Sequence, residues 1–140
     1  MAVNDDVTMA AAGTADSCIQ LFNLESQPRA ASAQLGGDMG NASLNCQGAP
    51  VLRLWGHSGP VYGISFSCDK RLMYSCGCDG TVRGWFTSEG ANLVVWRCHM
   101  QPVWDVQACP RGHWIATAGA DWTVKLWCGV SHAAYLSALL

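Results

Sequence analysis

Charge is what this sequence has least of. Only 13% of its 140 residues are Asp, Glu, Lys or Arg, against roughly 25% in an ordinary soluble domain, so little of the chain is prepared to face water. Its 8 cations and 10 anions leave a formal net charge of −2. Binding nucleic acid by neutralising phosphates needs clustered Lys and Arg, and Arg53, Arg71, Arg83 and Arg97 stand singly on separate segments. They read as solvated, as does Arg29. Long apolar runs are missing too, since no stretch approaches the ~18 residues of a membrane span. The start, MAVNDDVTMAAAG, has Asp5 and Asp6 where a secretory signal carries cations, and its apolar run is too short for such a signal. There is no glycine-rich phosphate loop, and no segment keeps the 3.6-residue period of an amphipathic helix.

What is present is half hydrophobic and contains 8 Cys. With no signal for secretion, these cysteines read as small, half-buried hydrophobes rather than a disulfide framework. Cys76-Gly77-Cys78 is the one close pair that suggests metal. Structural zinc sites prefer wider spacing and a second matching pair, and residues i and i+2 of a strand lie about 6.5 Å apart, near the upper limit for a disulfide. The expectation is therefore no metal and no cofactor.

The chain repeats itself. Gly56-His57 followed by Gly59-Pro60-Val61-Tyr62 returns as Cys98-His99 followed by Gln101-Pro102-Val103-Trp104, at a sequence offset of 42. Asp79-Gly80-Thr81-Val82-Arg83-Gly84-Trp85 returns as Asp121-Trp122-Thr123-Val124-Lys125-Leu126-Trp127 at the same offset of 42. An earlier copy, Asp16-Ser17-Cys18-Ile19-Gln20-Leu21-Phe22, precedes the second at an offset of 63, a surplus of 21. The surplus falls within 25–50, which is rich in Ala, Ser, Gly, Gln and Asn without periodicity and reads as an inserted, mobile surface loop. Without it, the chain divides into three repeats of similar length.

Within a repeat the pattern is all strand. Val61–Ser67, Leu72–Gly77, Thr81–Phe86 and Leu93–Arg97 are short runs rich in Val, Ile, Tyr, Phe and Trp, separated by turn formers. Asp79-Gly80 between two of them predicts a tight primed hairpin turn.

A period near 42, four strands, Gly-His at the start and an Asp followed six positions later by Trp resemble the WD-repeat β-propeller family. The resemblance covers three repeats, departing at Trp85-Phe86 and Trp127-Cys128 in place of Trp-Asp, and at Cys98 in place of Gly. The strings from Gly56 to Gly63 and from Pro102 to Val106, with the long insertion in the first repeat, are similar to a narrower group: the WD-repeat subunits of TFIID-type and SAGA-type coactivator complexes. That resemblance implies a nuclear, non-enzymatic scaffold in RNA polymerase II transcription initiation. Its partners would be protein subunits, histone-fold subunits among them, with no direct nucleic acid, membrane or small-molecule substrate. The alternatives are a generic WD-repeat adaptor, in ubiquitin ligation or trafficking, and a truncated isoform without function.

His57, Ser75 and Asp79 are also the residue types of a hydrolase triad. The set recurs as His99, Thr117 and Asp121, each time with a Trp after it, and an enzyme has little use for two nucleophile sets one repeat apart. The family resemblance implies instead two structural tetrads, His57-Ser75-Asp79-Trp85 and His99-Thr117-Asp121-Trp127. The first repeat has Ala12 at the hydroxyl position and no preceding His, so its tetrad is incomplete.

Tyr62 and Trp104 are equivalent positions near the start of an inner strand. Plain alternation groups Tyr62 with Ile64 and Phe66 and makes it core. The family pattern buries Val61, Ile64 and Phe66 and turns Tyr62 and Trp104 outward as partner contacts. The expected architecture is all-β, a partial propeller of about three four-stranded blades. Residues 1–24 hold three strands of the first, 25–50 the insertion, 51–97 its outer strand and the second blade, and 98–140 the third, with the tail from Ala134 as outermost strand. Related propellers have about seven blades and a large N-terminal part, so the chain is expected to be a fragment or isoform with open, association-prone flanks. Sandwiched blades also need few ions, which accounts for the low charge.

Overall fold

The computed structural model describes residues 1–3, 8–24, 52–128 and 134–139. The insertion expected over 25–50 lies outside the described residues. Among those described there is no helix, and the strands form three antiparallel sheets of four, each in simple chain order. The first contains β1 (Ala2–Val3), β2 (Met9–Gly13), β3 (Cys18–Asn23) and β4 (Leu52–Trp55). The second contains β5 (Val61–Phe66), β6 (Leu72–Gly77), β7 (Thr81–Phe86) and β8 (Asn92–Arg97). The third contains β9 (Val103–Ala108), β10 (Trp114–Gly119), β11 (Thr123–Cys128) and β12 (Ala134–Leu139). This is the expected partial propeller, and all four strands of the middle repeat fall within a residue of where β-branched and aromatic runs placed them.

The sheets are held by two apolar layers rather than one central core. Between the first and second, Ala11, Ile19, Leu21 and Leu54 meet Val61, Met73 and Trp85. Between the second and third, Tyr74, Cys76 and Val82 meet Val103, Val106, Ala108 and Ile115. The middle sheet is therefore apolar on both faces, which is where the low charge goes. The inner strands β5 and β9 adjoin each other and β1 adjoins β5. Backbone bonds such as Val61 N–H to the Thr14 carbonyl (3.2 Å) tie neighbouring sheets together.

Two local features depart from simple expectation. Val61 pairs with Gly77 and Gly63 with Cys76, so Tyr62 is the extra residue of a β-bulge; Trp104 is skipped in the same way between Val103 and Asp105. A bulge resets the alternation, which is why Val61 and Ile64 share a face while Tyr62 turns out. The Asp79-Gly80 turn is also not a primed two-residue turn. A three-residue loop joins β6 to β7, and Gly80 alone has a positive φ, +72°. That is the pattern of an ordinary turn closed by one left-handed residue.

Candidate functional site

The densest side-chain hydrogen bonding lies where the second and third sheets each receive the loop that precedes them. β6 and β7 carry Ser75 and Trp85, their connecting loop carries Asp79, and the β4–β5 connection delivers His57. The His57 Nδ1–H donates to Asp79 (2.9 Å to Oδ2), the Ser75 hydroxyl donates to His57 Nε2 (2.8 Å), and the Trp85 indole N–H donates to the Ser75 oxygen (2.8 Å). This chain of donors fixes the neutral Nδ1–H tautomer. One period on, His99 Nδ1–H donates to Asp121 (2.9 Å), Thr117 to His99 Nε2 (2.9 Å), and Trp127 to Thr117 (3.0 Å). The structure thus brings together all eight residues singled out by the repeat.

Close approach is required for this. A Cβ on Gly77 would lie 2.5 Å from the Pro60 carbonyl oxygen, and one on Gly119 would lie 2.4 Å from His99 Nδ1. Only glycine lets the imidazole lie against the end of the strand.

Burial lowers the His57 pKa, because a charged ring is poorly solvated there; the hydrogen bond and charge of Asp79 pull the other way without prevailing. For Asp79 burial pushes upward, yet bonds from Thr81, the Ser58 N–H and His57 together outweigh it and the carboxyl is lowered. Asp121 follows the same balance, with bonds from Thr123 and His99 bringing it to about 2. For the His57–Asp79 pair, neutral imidazole against carboxylate is therefore the favoured state at neutral pH.

The same atoms could form a nucleophile relay only if Ser75 could be reached. It is 0% exposed and its oxygen is covered by the Trp85 indole. A hydroxyl in that position can hold a loop but has no room for a substrate carbonyl.

Thr81 and Thr123 escaped the sequence reading. Each hydroxyl donates to the tetrad carboxylate, at 2.7 and 2.6 Å, and the signal was available as Asp-x-Thr recurring with the repeat. Lys125 was also missed; its Nζ donates to the Cys98 carbonyl at 2.6 Å. Arg83, its equivalent, corrects the expectation of a solvated residue: it is half-buried, with Nε enclosed and without a hydrogen-bond partner. Among the described residues no group of His, Cys, Asp and Glu has the arrangement of a metal site. Cys76 is buried, its thiol pushed up to about 12 by burial, while Cys78 is exposed.

Tyr62 and Trp104 project from their bulges into solvent, 42% and 54% exposed, with ring centroids 5.1 Å apart and planes tilted by 32°. Antiparallel pairing places the start of β5 and β9, the loops after β6 and β10, and the ends of β4 and β8 at one end of the sheets. Trp55, Met100 and Trp122 are exposed at that same end. Five large apolar side chains, three of them tryptophans, therefore rim one end of the sheets.

The family model for the WD domain, G-beta repeat, matches residues 48–85 and 90–128. Transcription initiation factor TFIID subunit 5 of Caenorhabditis elegans is 43% identical over 76 residues, 54% of this chain and 12% of that protein. Eukaryotic translation initiation factor 3 subunit I of Aspergillus terreus is 36% identical over 78 residues, 56% of this chain and 23% of that protein. The same subunit of Meyerozyma guilliermondii is 29% identical over 75 residues, 54% of this chain and 22% of that protein. The matched stretch is less than a quarter of the length of each relative.

Proposed function

The chain belongs to the WD-repeat family, and from that premise we propose that it is a non-enzymatic protein-interaction scaffold of a nuclear transcription coactivator complex of the TFIID or SAGA type. The observation that carries the scaffold is the exposed Tyr62–Trp104 pair on equivalent bulges. Aromatic side chains of this kind concentrate in protein interfaces and supply much of their binding energy. Two strands spend an extra residue each to hold these rings out of the core. The buried tetrads serve to hold that rim: each pins the loop entering a sheet to the turn at the same end. The transcription assignment is supported by the 43% identity with the TFIID subunit. The likeness to translation initiation factor 3 subunit I, at 29% and 36%, favours a second reading, a scaffold of a cytoplasmic translation initiation complex.

Affinity capture from separated nuclear and cytoplasmic extracts decides between them. Recovery of histone-fold subunits from the nuclear fraction is expected, and recovery only of translation factors would replace the first reading by the second. The paired change Tyr62→Ala with Trp104→Ala removes exposed groups, so it leaves the melting temperature nearly unchanged. It weakens capture by at least ~10-fold if these rings are interface anchors. Unchanged capture by the double variant would move the interface elsewhere.

A further inference from the structure

Tyr62 and Trp104 differ from the other apolar side chains of the rim in having a carboxylate set beside them. Trp104 is followed by Asp105, and Tyr62 by Gly63, the equivalent position one repeat earlier. A Cβ on Gly63 would lie 3.0 Å from Asp105 Oδ1 and 3.1 Å from the Asp105 Cα. The missing side chain on β5 is what leaves room for the carboxyl group of β9. Asp105 therefore stands in the seam between the two inner strands, one residue along from each ring. This seam joins the second and third sheets, each of which has all four of its strands.

That carboxylate is not spent on a partner. Asp105 is exposed, and among the described residues its carboxylate accepts one hydrogen bond, from the Val106 N–H (2.9 Å), with no Lys, Arg or His paired to it. Asp79 and Asp121, at the same end, are by contrast taken up by the tetrads. Nearby cations do not compensate. Lys125 turns inward to the Cys98 carbonyl, and Arg83 lies against Gly56 at the other joint. Lys70, Arg71 and Arg111 belong to loops at the opposite end of the sheets. Arg97 is exposed at this end but ends the outermost strand β8, three strand spacings or ~14 Å from β5, which exceeds the ~8 Å screening length at physiological salt.

The rings are held ready as well. The Tyr62 hydroxyl hydrogen-bonds with the Cys78 thiol of the β6–β7 loop, and its ring meets Trp104 on one side while both stay open to solvent elsewhere. An aromatic face attracts a cation within about 6 Å of its centroid, and a carboxylate beside that face adds a charge-assisted hydrogen bond. We propose that this seam receives a cationic side chain, arginine or lysine, from a basic segment of a partner protein, with the cation against the rings and its N–H groups donating to Asp105. The proposal rests on the rim being a protein interface and names the chemistry of what docks there. An acidic segment would be repelled by the carboxylate, and a purely apolar one would cover it unpaired.

The test titrates the purified chain, by NMR, with a short Gly- and Ser-based peptide carrying two arginines and with the same peptide carrying citrulline, which keeps the shape and loses the charge. The Trp104 indole signal is assigned from its loss in Trp104→Phe. The arginine peptide is expected to shift that signal saturably, and the citrulline peptide to bind roughly 10-fold more weakly. Asp105→Asn can still accept the Val106 N–H, so its melting temperature stays near that of the parent. It is expected to bind the arginine peptide roughly 5- to 10-fold more weakly, with citrulline binding unchanged. No shift at millimolar arginine peptide, equal binding of the two peptides, an unchanged affinity in Asp105→Asn, or a shift that spares Trp104 would each overturn the proposal. None of these results touches the scaffold reading, which stands or falls on capture by the Tyr62→Ala, Trp104→Ala variant. Capture lost there without any preference for arginine here would leave an interface that recognises something other than a cation.

Discussion

Removing the Asp79 carboxylate is the sharpest probe of how these sheets are held. In Asp79→Ala four hydrogen bonds vanish together, from the His57 Nδ1–H, the Ser58 N–H, the Thr81 N–H and the Thr81 hydroxyl. Ser58 is exposed and takes water instead. His57, whose side chain has no exposed surface, and Thr81 cannot do so easily. Each buried group left unpaired costs about 1–3 kcal/mol, and with two or three such groups partly relaxing the loss is about 3–4 kcal/mol. A domain of this size loses roughly 4 °C in Tm per kcal/mol, so a fall of about 12–16 °C is expected, measured by circular dichroism at one fixed protein concentration. The control is Asp69→Ala, which removes a carboxylate bonded to Ser67 and Arg71 on an exposed turn and should cost about 1 kcal/mol or less. Combining Asp79→Ala with His57→Ala should cost little more than the worse single change, because the two side chains share one network. A loss below about 1 kcal/mol for Asp79→Ala, or full additivity with His57→Ala, would refute the tetrad as the clamp between loop and turn.

Three further outcomes follow from the same geometry. Stability should fall with acid in two stages. The lowered His57 pKa favours the neutral ring in the fold, so stability is complete above the ordinary value of 6.5 and declines as pH drops below it. Asp121, held at about 2 against an ordinary 3.8, adds a second decline between those values, to which the lowered Asp79 carboxyl also contributes; urea midpoints across pH should show both stages, and Asp121→Asn should shrink the lower one. Gly119→Ala should destabilise by about 3 kcal/mol or more, since its Cβ would lie 2.4 Å from His99 Nδ1 and 2.7 Å from Asp121 Oδ1; a thermal melt close to that of the parent would show that the ring has room to move. Trp122 holds φ at +62° while 74% exposed, in the place where Gly80 sits in the previous repeat. Trp122→Gly should raise stability by about 0.5–1 kcal/mol, the left-handed strain relieved exceeding the extra chain entropy, and a loss would mean that the indole makes a contact worth more than the strain.

Much of this was legible in one dimension because a repeat states its own alignment. The offset of 42 aligned two recurring polar sets before any distance was known, and the family resemblance is what implied that each forms a tetrad. The strands of the middle sheet were legible because β-branched and aromatic runs between turn formers supply the apolar layers on both of its faces. The orientation of Tyr62 was ambiguous for a specific reason: a one-residue bulge inverts every later side chain, and no local residue type announces it. Thr81 and Thr123 were overlooked because a threonine beginning a strand looks like β-propensity, when its hydroxyl in fact completes a carboxylate's bonds. Arg83 was misplaced for the opposite reason. An isolated cation reads as solvated, yet its strand faces the neighbouring sheet, and its tip approaches Gly56, where a Cβ would be 2.7 Å from the guanidinium.

Sequence by itself determined the strand periods, the family and the polar sets that recur, because these depend on residue types at set spacings along the chain. Tertiary structure alone decided the phase of the inner strands, the access of solvent to Ser75 and the gathering of five apolar side chains at one end. Those properties depend on which sheet lies beside which, and burial is a property of neighbours rather than of residues.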